Sequence, residues 1–335
     1  MHEGTTESVG SAVSARRGGV IRRSFKDPAV RHWLRRVATL VFFFVVTAML
    51  VLLAQRVEWR EVAQSLRAFE TKNLWLAAVP ALASYLVYST FDLFGRRHTR
   101  HKLPRLQVMT IAFVCYAFTQ SLTAWVGGIA MRYRLYSRFG VEKGAVAQIF
   151  GISILTNWIG YFALASVVCL AGAITPPANW PIGSSAIRII GALLSVPVIF
   201  YLWCCYRYPD QGHRAFGQEW QLPTIRIGLL QLLGGAANWA LMSAVIFVLL
   251  QQRVDYVTVL GILLLSSVAA VIVHIPAGLG VLEAVFITTL QGELSRHHLF
   301  AALICYRAIY YLVPLLLAVF VYVILELQAR KRRNR

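Results

Sequence analysis

The stretch HIPAGLGVLEAVFITTL, from His274 to Leu290, holds one carboxylate, Glu283, in an otherwise apolar run. An ionised acid well inside a bilayer costs a few kcal/mol, so its presence needs a physical reason. Two are open. Three residues past Gly280, Glu283 falls in the first turn of a helix, where free N–H groups and the macrodipole favour a carboxylate. It is equally placed to act as a cation or proton site, or as a gate paired with an arginine. The matching arginine is Arg307 in ALICYRAIYYLVPLL, followed by Tyr310 and Tyr311 three and four residues on. That spacing puts the three on one polar stripe, and Pro314 is expected to kink the helix beyond it. The alternative for Arg307 is to snorkel to the outer interface.

A second set follows Gly127-Gly128 in GGIAMRYRLYSRFGV, Gly127 to Val141. A helix N-terminus introduced by two glycines and followed by Arg132 and Arg134 suits a phosphodiester anion. The alternative is ordinary cytoplasmic-side positive charge. Arg134 and Arg138 share one helical face by their spacing, and Arg132 shares another with Tyr136. The candidate substrate-contacting residues are therefore Gly127, Gly128, Arg132, Arg134, Gly278, Gly280, Glu283, Arg307, Tyr310 and Tyr311. Asp92 reads as a local ion pair with Arg96 and Arg97. Ser153, Asn157 and Tyr161 form a polar stripe that packing hydrogen bonds explain as well as a cavity lining does. His274 and Asn238 read as satisfied packing positions. Cys115, Cys169, Cys204, Cys205 and Cys305 lie within or at the ends of apolar spans and read as small buried hydrophobes. No catalytic motif and no metal-ligand spacing is present, so no catalytic residue, metal or cofactor is expected.

These residues need a frame, and composition names its class. Of 335 residues 58% are hydrophobic, more than a water-soluble domain can hide. The net charge of +19 lies in the tails and in some of the loops between apolar runs, which argues for a membrane and against nucleic acid. Apolar segments run near 37–54, 74–94, 106–126, 145–171, 186–205, 226–250, 257–275 and 298–325, with shorter pieces at 129–139 and 279–291. Basic clusters before Val37, at 95–105, and at Arg132, Arg134, Arg138 and Lys143 are all expected on the cytoplasmic side. The third cluster stays there only if 106–126 enters, turns at Gly127-Gly128 and returns. The prediction is an all-α polytopic membrane protein: six full transmembrane helices plus two re-entrant helical hairpins, with both termini cytoplasmic in a bacterial inner membrane. The domain plan is a disordered basic arm (1–34), one membrane domain (35–326) and a basic tail (327–335). A shift of 152 residues carries Gly128 onto Gly280 and Gly140 onto Gly292. The half-repeats, about 37–171 and 186–325, each hold an odd number of crossings, so they form an inverted repeat.

GGIAMRYRLYSRFGV and IPAGLGVLEAVF together resemble the two best-preserved stretches of the lysylphosphatidylglycerol synthetase transmembrane family. The resemblance covers roughly residues 35–325. It implies a flippase-like region and a lipid transporter moving an anionic or modified phospholipid between leaflets. Family members that make lysyl-phosphatidylglycerol carry a soluble catalytic domain after the membrane part. Here the sequence ends about ten residues past the last span, so that activity is not expected. The alternative is a membrane-embedded transferase, or an accessory subunit, in polyprenyl, hopanoid or aminoacyl-lipid metabolism. An enzyme would want clustered acids and a nucleotide site, so transport leads. The expected partners are membrane phospholipids with an anionic headgroup and further copies of the chain in a homo-oligomer, with no nucleic acid.

Overall fold

A computed structural model describes residues 69–122, 124–172, 183–209, 212–215, 218–273 and 280–333, with scattered positions between 44 and 67. Helices α1 (Thr71–Ser89) and α2 (Phe91–Thr99) run on through Thr90. Then come α3 (Arg105–Ser121), a π-helical stretch (Ala124–Ala130), α4 (Met131–Arg138), α5 (Lys143–Leu170) and α6 (Ser184–Arg207). After a short antiparallel ribbon, β1 (Gly212–Ala215) with β2 (Gln218–Gln221), the chain forms α7 (Ile225–Leu249) and α8 (Tyr256–Val273). It ends in α9 (Val281–Leu290), α10 (Arg296–Arg307), a second π-helical stretch (Ala308–Leu312) and α11 (Val313–Arg333).

Six helical stretches are long and apolar enough to cross a membrane: Thr71–Thr99, Lys143–Leu170, Ser184–Arg207, Ile225–Leu249, Tyr256–Val273 and Arg296–Ala329. Five coincide with predicted crossings. The predicted crossing at 37–54 lies almost wholly outside the described residues, and Tyr256–Val273, expected as one arm of a hairpin, has the length of a full span. The protein is thus an all-helical, multi-pass membrane protein apart from the ribbon between α6 and α7.

Which face each helix buries is legible from its exposed residues. On α6, Ile189, Leu193, Val196, Phe200 and Trp203 are exposed, a stripe recurring every three or four residues. On α11 the stripe is Val313, Leu316, Phe320, Val323 and Leu327. Apolar surface of this extent fits hydrocarbon and not water. The inward faces meet on α7, which packs between α1 and α5. Here Gly160 of α5 and Gly235 of α7 face each other. A Cβ on Gly160 would stand 2.1 Å from the Gly235 carbonyl carbon, so the crossing admits no side chain. Small residues let backbones approach where no hydrophobic drive exists between helices in lipid. Polar groups then tie the contact. Gln231 donates to Thr156 Oγ1 at 3.2 Å and Trp239 Nε1 to the Asn157 carbonyl at 3.2 Å, while the Tyr161 hydroxyl of α5 donates to the Leu264 carbonyl of α8 at 2.9 Å.

At Pro314, where the sequence predicts a kink, the helix changes its hydrogen-bonding pattern. Pro314 has no N–H to give to the carbonyl four residues back, that of Tyr310. The chain widens into the π-helical stretch Ala308–Leu312, and the freed Tyr310 carbonyl accepts the Tyr85 hydroxyl of α1 at 3.0 Å. The neighbouring Tyr311 carbonyl accepts Ser121 Oγ at 3.4 Å. A buried backbone acceptor left without a partner in lipid would cost several kcal/mol, and the Tyr85 hydroxyl supplies the donor that Pro314 withholds from Tyr310.

Candidate functional site

Two helical hairpins frame the site. In the first, α3 stops at Leu122, whose φ of −111° and ψ of −92° leave the helical region, and the return arm begins at Ala124. The reversal therefore precedes Gly127-Gly128, where the sequence placed it. Gly127 serves a different need: a Cβ there would lie 2.0 Å from the Thr119 nitrogen, so the returning arm lies directly on the backbone of α3. Gly128 packs against the Phe150 ring and lends its carbonyl to Arg132. In the second hairpin α8 packs against α9. Gly280 opens α9 at a φ of +83°, a conformation that suits glycine. His274 and Gly278 lie outside the described residues.

Each return arm carries a charge near its start, neutralised by a charge of opposite sign from another helix. Arg132 on α4 is 1% exposed and its partner is Asp92 of α2, 0% exposed. Asp92 therefore pairs across the fold and not with Arg96 or Arg97, because α2 packs its Asp92 face inward. Arg132 Nη2 donates to Asp92 Oδ1 at 3.0 Å and Nε to Oδ2 at 3.2 Å. Tyr136, one turn on, donates to Oδ2 at 2.9 Å. The remaining guanidinium donors reach the Gly128 carbonyl at 3.1 Å and Ser153 Oγ at 3.2 Å, and the Phe150 ring lies below at 5.6 Å. A buried pair survives only with such complete satisfaction. All of Arg132's described contacts are within the protein. Arg134 and Arg138 occupy the other face of α4, as their spacing predicts, and meet Glu326 of α11 at 3.4 and 3.0 Å. Arg134 Nε also donates to the Tyr322 hydroxyl at 2.6 Å. The sequence reading passed over Glu326 and Tyr322, although their spacing of four in the last helix is the signal of a polar stripe.

The second pair joins Glu283 of α9 to Arg307 of α10. Arg307 Nε donates to Glu283 Oε1, and Nη2 to Oε2 at 2.9 Å. Glu283 Oε2 also accepts the Gly280 N–H at 3.0 Å. The two readings of Glu283, as a cap and as an arginine partner, are thus met by one carboxylate. The Arg307 guanidinium lies 5.5 Å from the centre of the Tyr311 ring. Both side chains retain some exposure, 15% for Arg307 and 14% for Glu283.

Beside this pair is a cavity of about 200 Å³ lined by both hairpins: Thr119 and Gln120 of α3, Ser266 and Ser267 of α8, Leu282 of α9, and Tyr311. Trp239 and Met242 of α7 line it as well. Leu282 adjoins Glu283 in sequence, and the Tyr311 ring lies under the Arg307 guanidinium, so the cavity lining includes a neighbour of each member of the ion pair. Tyr310 points elsewhere. It is fully buried, and its hydroxyl bonds Ser84 Oγ at 2.6 Å and the Tyr116 hydroxyl at 2.9 Å. Ser84 in turn donates to Asn238 Oδ1 at 2.8 Å. This network welds α1, α3, α7 and the second π-helical stretch. Asn238 is the packing residue that the sequence suggested; Ser153, Asn157 and Tyr161, for which the sequence left packing and cavity lining both open, make hydrogen bonds to three different elements. In the α2–α3 loop, burial and then the Arg96 guanidinium lower the His101 pKa, against the opposing pull of Asp92. A neutral imidazole suits Nδ1 as acceptor of the Leu103 N–H at 3.3 Å. Among the described residues no group of three or more His, Cys, Asp or Glu is placed to hold a metal ion.

A family described as the lysylphosphatidylglycerol synthase TM region matches residues 37–318. The chain is 45% identical over 300 residues to the inner membrane protein YbhN of Escherichia coli (strain K12), covering 89% of this chain and 94% of that protein. It is 29% identical over 262 residues to the protein slr0712 of Synechocystis sp., covering 77% and 80%. It is 22% identical over 303 residues to a phosphatidylglycerol lysyltransferase of Staphylococcus haemolyticus, covering 85% of this chain and 33% of that protein.

Proposed function

The chain belongs to the lysylphosphatidylglycerol synthase transmembrane-region family, and from that premise we propose that it moves phospholipid between leaflets, with an anionic headgroup as the preferred cargo. The observation that carries the reading is the cavity lined by both hairpins, one wall of which, Tyr311, lies beneath the Arg307 guanidinium. Ser266, Ser267, Thr119 and Gln120 supply neutral hydrogen-bonding groups, and Arg307 supplies the charge. The acyl chains stay in lipid while the headgroup passes through protein, which removes the cost of dragging a phosphate through hydrocarbon. Arg132 and Arg134, with Gly127 and Gly128, hold the first hairpin in place. Glu283, Arg307 and Tyr311, with Gly280, form the contact side of the site.

An inverted repeat supports an alternating-access mechanism on this site. The shift that takes Gly128 to Gly280 takes the bounds of α3 to 257–273, and α8 runs Tyr256–Val273. In this proposal the hairpins are re-entrant from opposite faces, and both termini are cytoplasmic.

The test is transport in proteoliposomes. Labelled phosphatidylglycerol should cross faster than labelled phosphatidylcholine. Arg307→Gln should narrow the difference, since it removes a charge-assisted phosphate contact of roughly 1.5–3 kcal/mol. Equal rates for the two lipids, unchanged by the substitution, would refute the reading and favour a transferase or accessory role.

A further inference from the structure

The two arm charges look alike in outline and differ in what would follow if each were separated from its partner. Asp92 and Arg132 are 0% and 1% exposed, and each holds the other against further fixed groups. Among the described residues, neither forms a second salt bridge. Glu283 and Arg307 are each provided for apart. Glu283 keeps the Gly280 N–H and the N-terminus of α9, which favours a carboxylate without any arginine. Arg307 keeps the face of Tyr311, which favours a cation. Both are partly exposed, and a neighbour of each, Leu282 beside Glu283 and Tyr311 beneath Arg307, lines the cavity between the hairpins.

We propose that the Glu283–Arg307 pair is an exchangeable latch: a phosphate oxyanion entering the cavity takes Arg307 from Glu283 and frees α9 from α10, while the Asp92–Arg132 pair keeps the first hairpin fixed. The proposal rests on the lipid-transport reading and deepens it by assigning the moving element. A guanidinium binds a phosphate in the same two-point geometry it uses on a carboxylate, so the exchange replaces one paired interaction with another. The released Glu283 stays charged on its own helix end. The ion pair between α9 and α10 is lost. Ligand binding and hairpin release then become one event, with a binding energy difference between latched and released states as its source.

Hydrogen–deuterium exchange of the full chain in nanodiscs reads the latch directly. Against phosphatidylcholine alone, adding phosphatidylglycerol should speed exchange in 281–290 roughly tenfold, the effect of one lost contact of about 1.4 kcal/mol. Exchange in 131–138 should stay the same. Glu283→Gln should show fast exchange in 281–290 without anionic lipid and no further response to it. Arg307→Lys keeps the charge but not the two-point geometry, and should respond more weakly than the native chain. Should a variant fail to fold, the native comparison stands alone. Inorganic phosphate in phosphatidylcholine discs separates the sources: a rise with lipid only assigns the oxyanion to the headgroup, and a rise with both assigns it to any phosphate. Either supports the latch. No rise in 281–290 with either source, or an equal rise in 131–138, overturns it. Selective transport of phosphatidylglycerol with unchanged exchange would remove the latch and leave the transport reading standing.

Discussion

At the scale of single residues, the energetics turn on whether a charge has somewhere else to go. Arg132 does not. With Asp92 neutralised, its guanidinium stays buried among Gly128, Ser153 and Phe150 without a counter-charge. Asp92→Asn is therefore expected to destabilise the fold by about 3–5 kcal/mol. Arg138 differs, because its side chain is 30% exposed and water replaces its lost partner. Arg138→Ala is expected to cost about 1 kcal/mol or less. Thermal unfolding of the two variants in the same detergent checks the contrast. Similar melting temperatures would show that the Asp92–Arg132 pair is not the anchor its burial implies.

At the scale of elements, the fold depends on helices approaching more closely than side chains normally allow. The α5–α7 crossing is closed by Gly160 and Gly235, and the listening-distance polar bonds of Gln231 and Trp239 form only because the backbones meet there. A methyl group on Gly160 has no room, since its neighbours are backbone atoms and cannot swing aside. Gly160→Ala should push α5 from α7 and cost on the order of 1–3 kcal/mol as an overpacked core does. Gly183 caps α6 with open space about it and an ordinary negative φ. Gly183→Ala should leave stability within about 0.5 kcal/mol. Size-exclusion profiles after graded heating would separate them, and an unaffected Gly160→Ala protein would contradict the packing account.

At the scale of the whole molecule, the proposed orientation rests on the distribution of charge. Lys143 closes the basic cluster that begins at Arg132, and both it and Gly292 are exposed. In cells, a cysteine at Lys143 should react with an impermeant thiol reagent only after the envelope is opened, and one at Gly292 should react in intact cells once the outer membrane is permeabilised. Labelling in the reverse order would invert the proposed topology. The pattern also bears on transport, because the guanidinium of Arg307 belongs to the half whose hairpin is proposed to enter from outside. In the proposed function, orientation sets which leaflet is met first, and the cavity sets what is accepted.

The sequence by itself determined the class of protein, most of the spans and the family. Those features are local. Apolar length reports a span, glycines report a break or a close approach, and positive charge reports a side of the membrane, each without knowledge of a neighbour. The same holds for the two faces of α4, which spacing alone separates. What each face meets was decided only in three dimensions. Asp92 has arginines four and five residues away in sequence, yet pairs with Arg132 because α2 and α4 bring those two faces together. Glu326 joins Arg134 and Arg138 across nearly two hundred residues. Tyr85 supplies the hydrogen bond that Pro314 withholds from Tyr310. Partnership of this kind depends on which helices abut and on how much water is left between them. In a chain whose helices are apolar on nearly every side, periodicity carries little of that information, because lipid and protein ask for the same side chains.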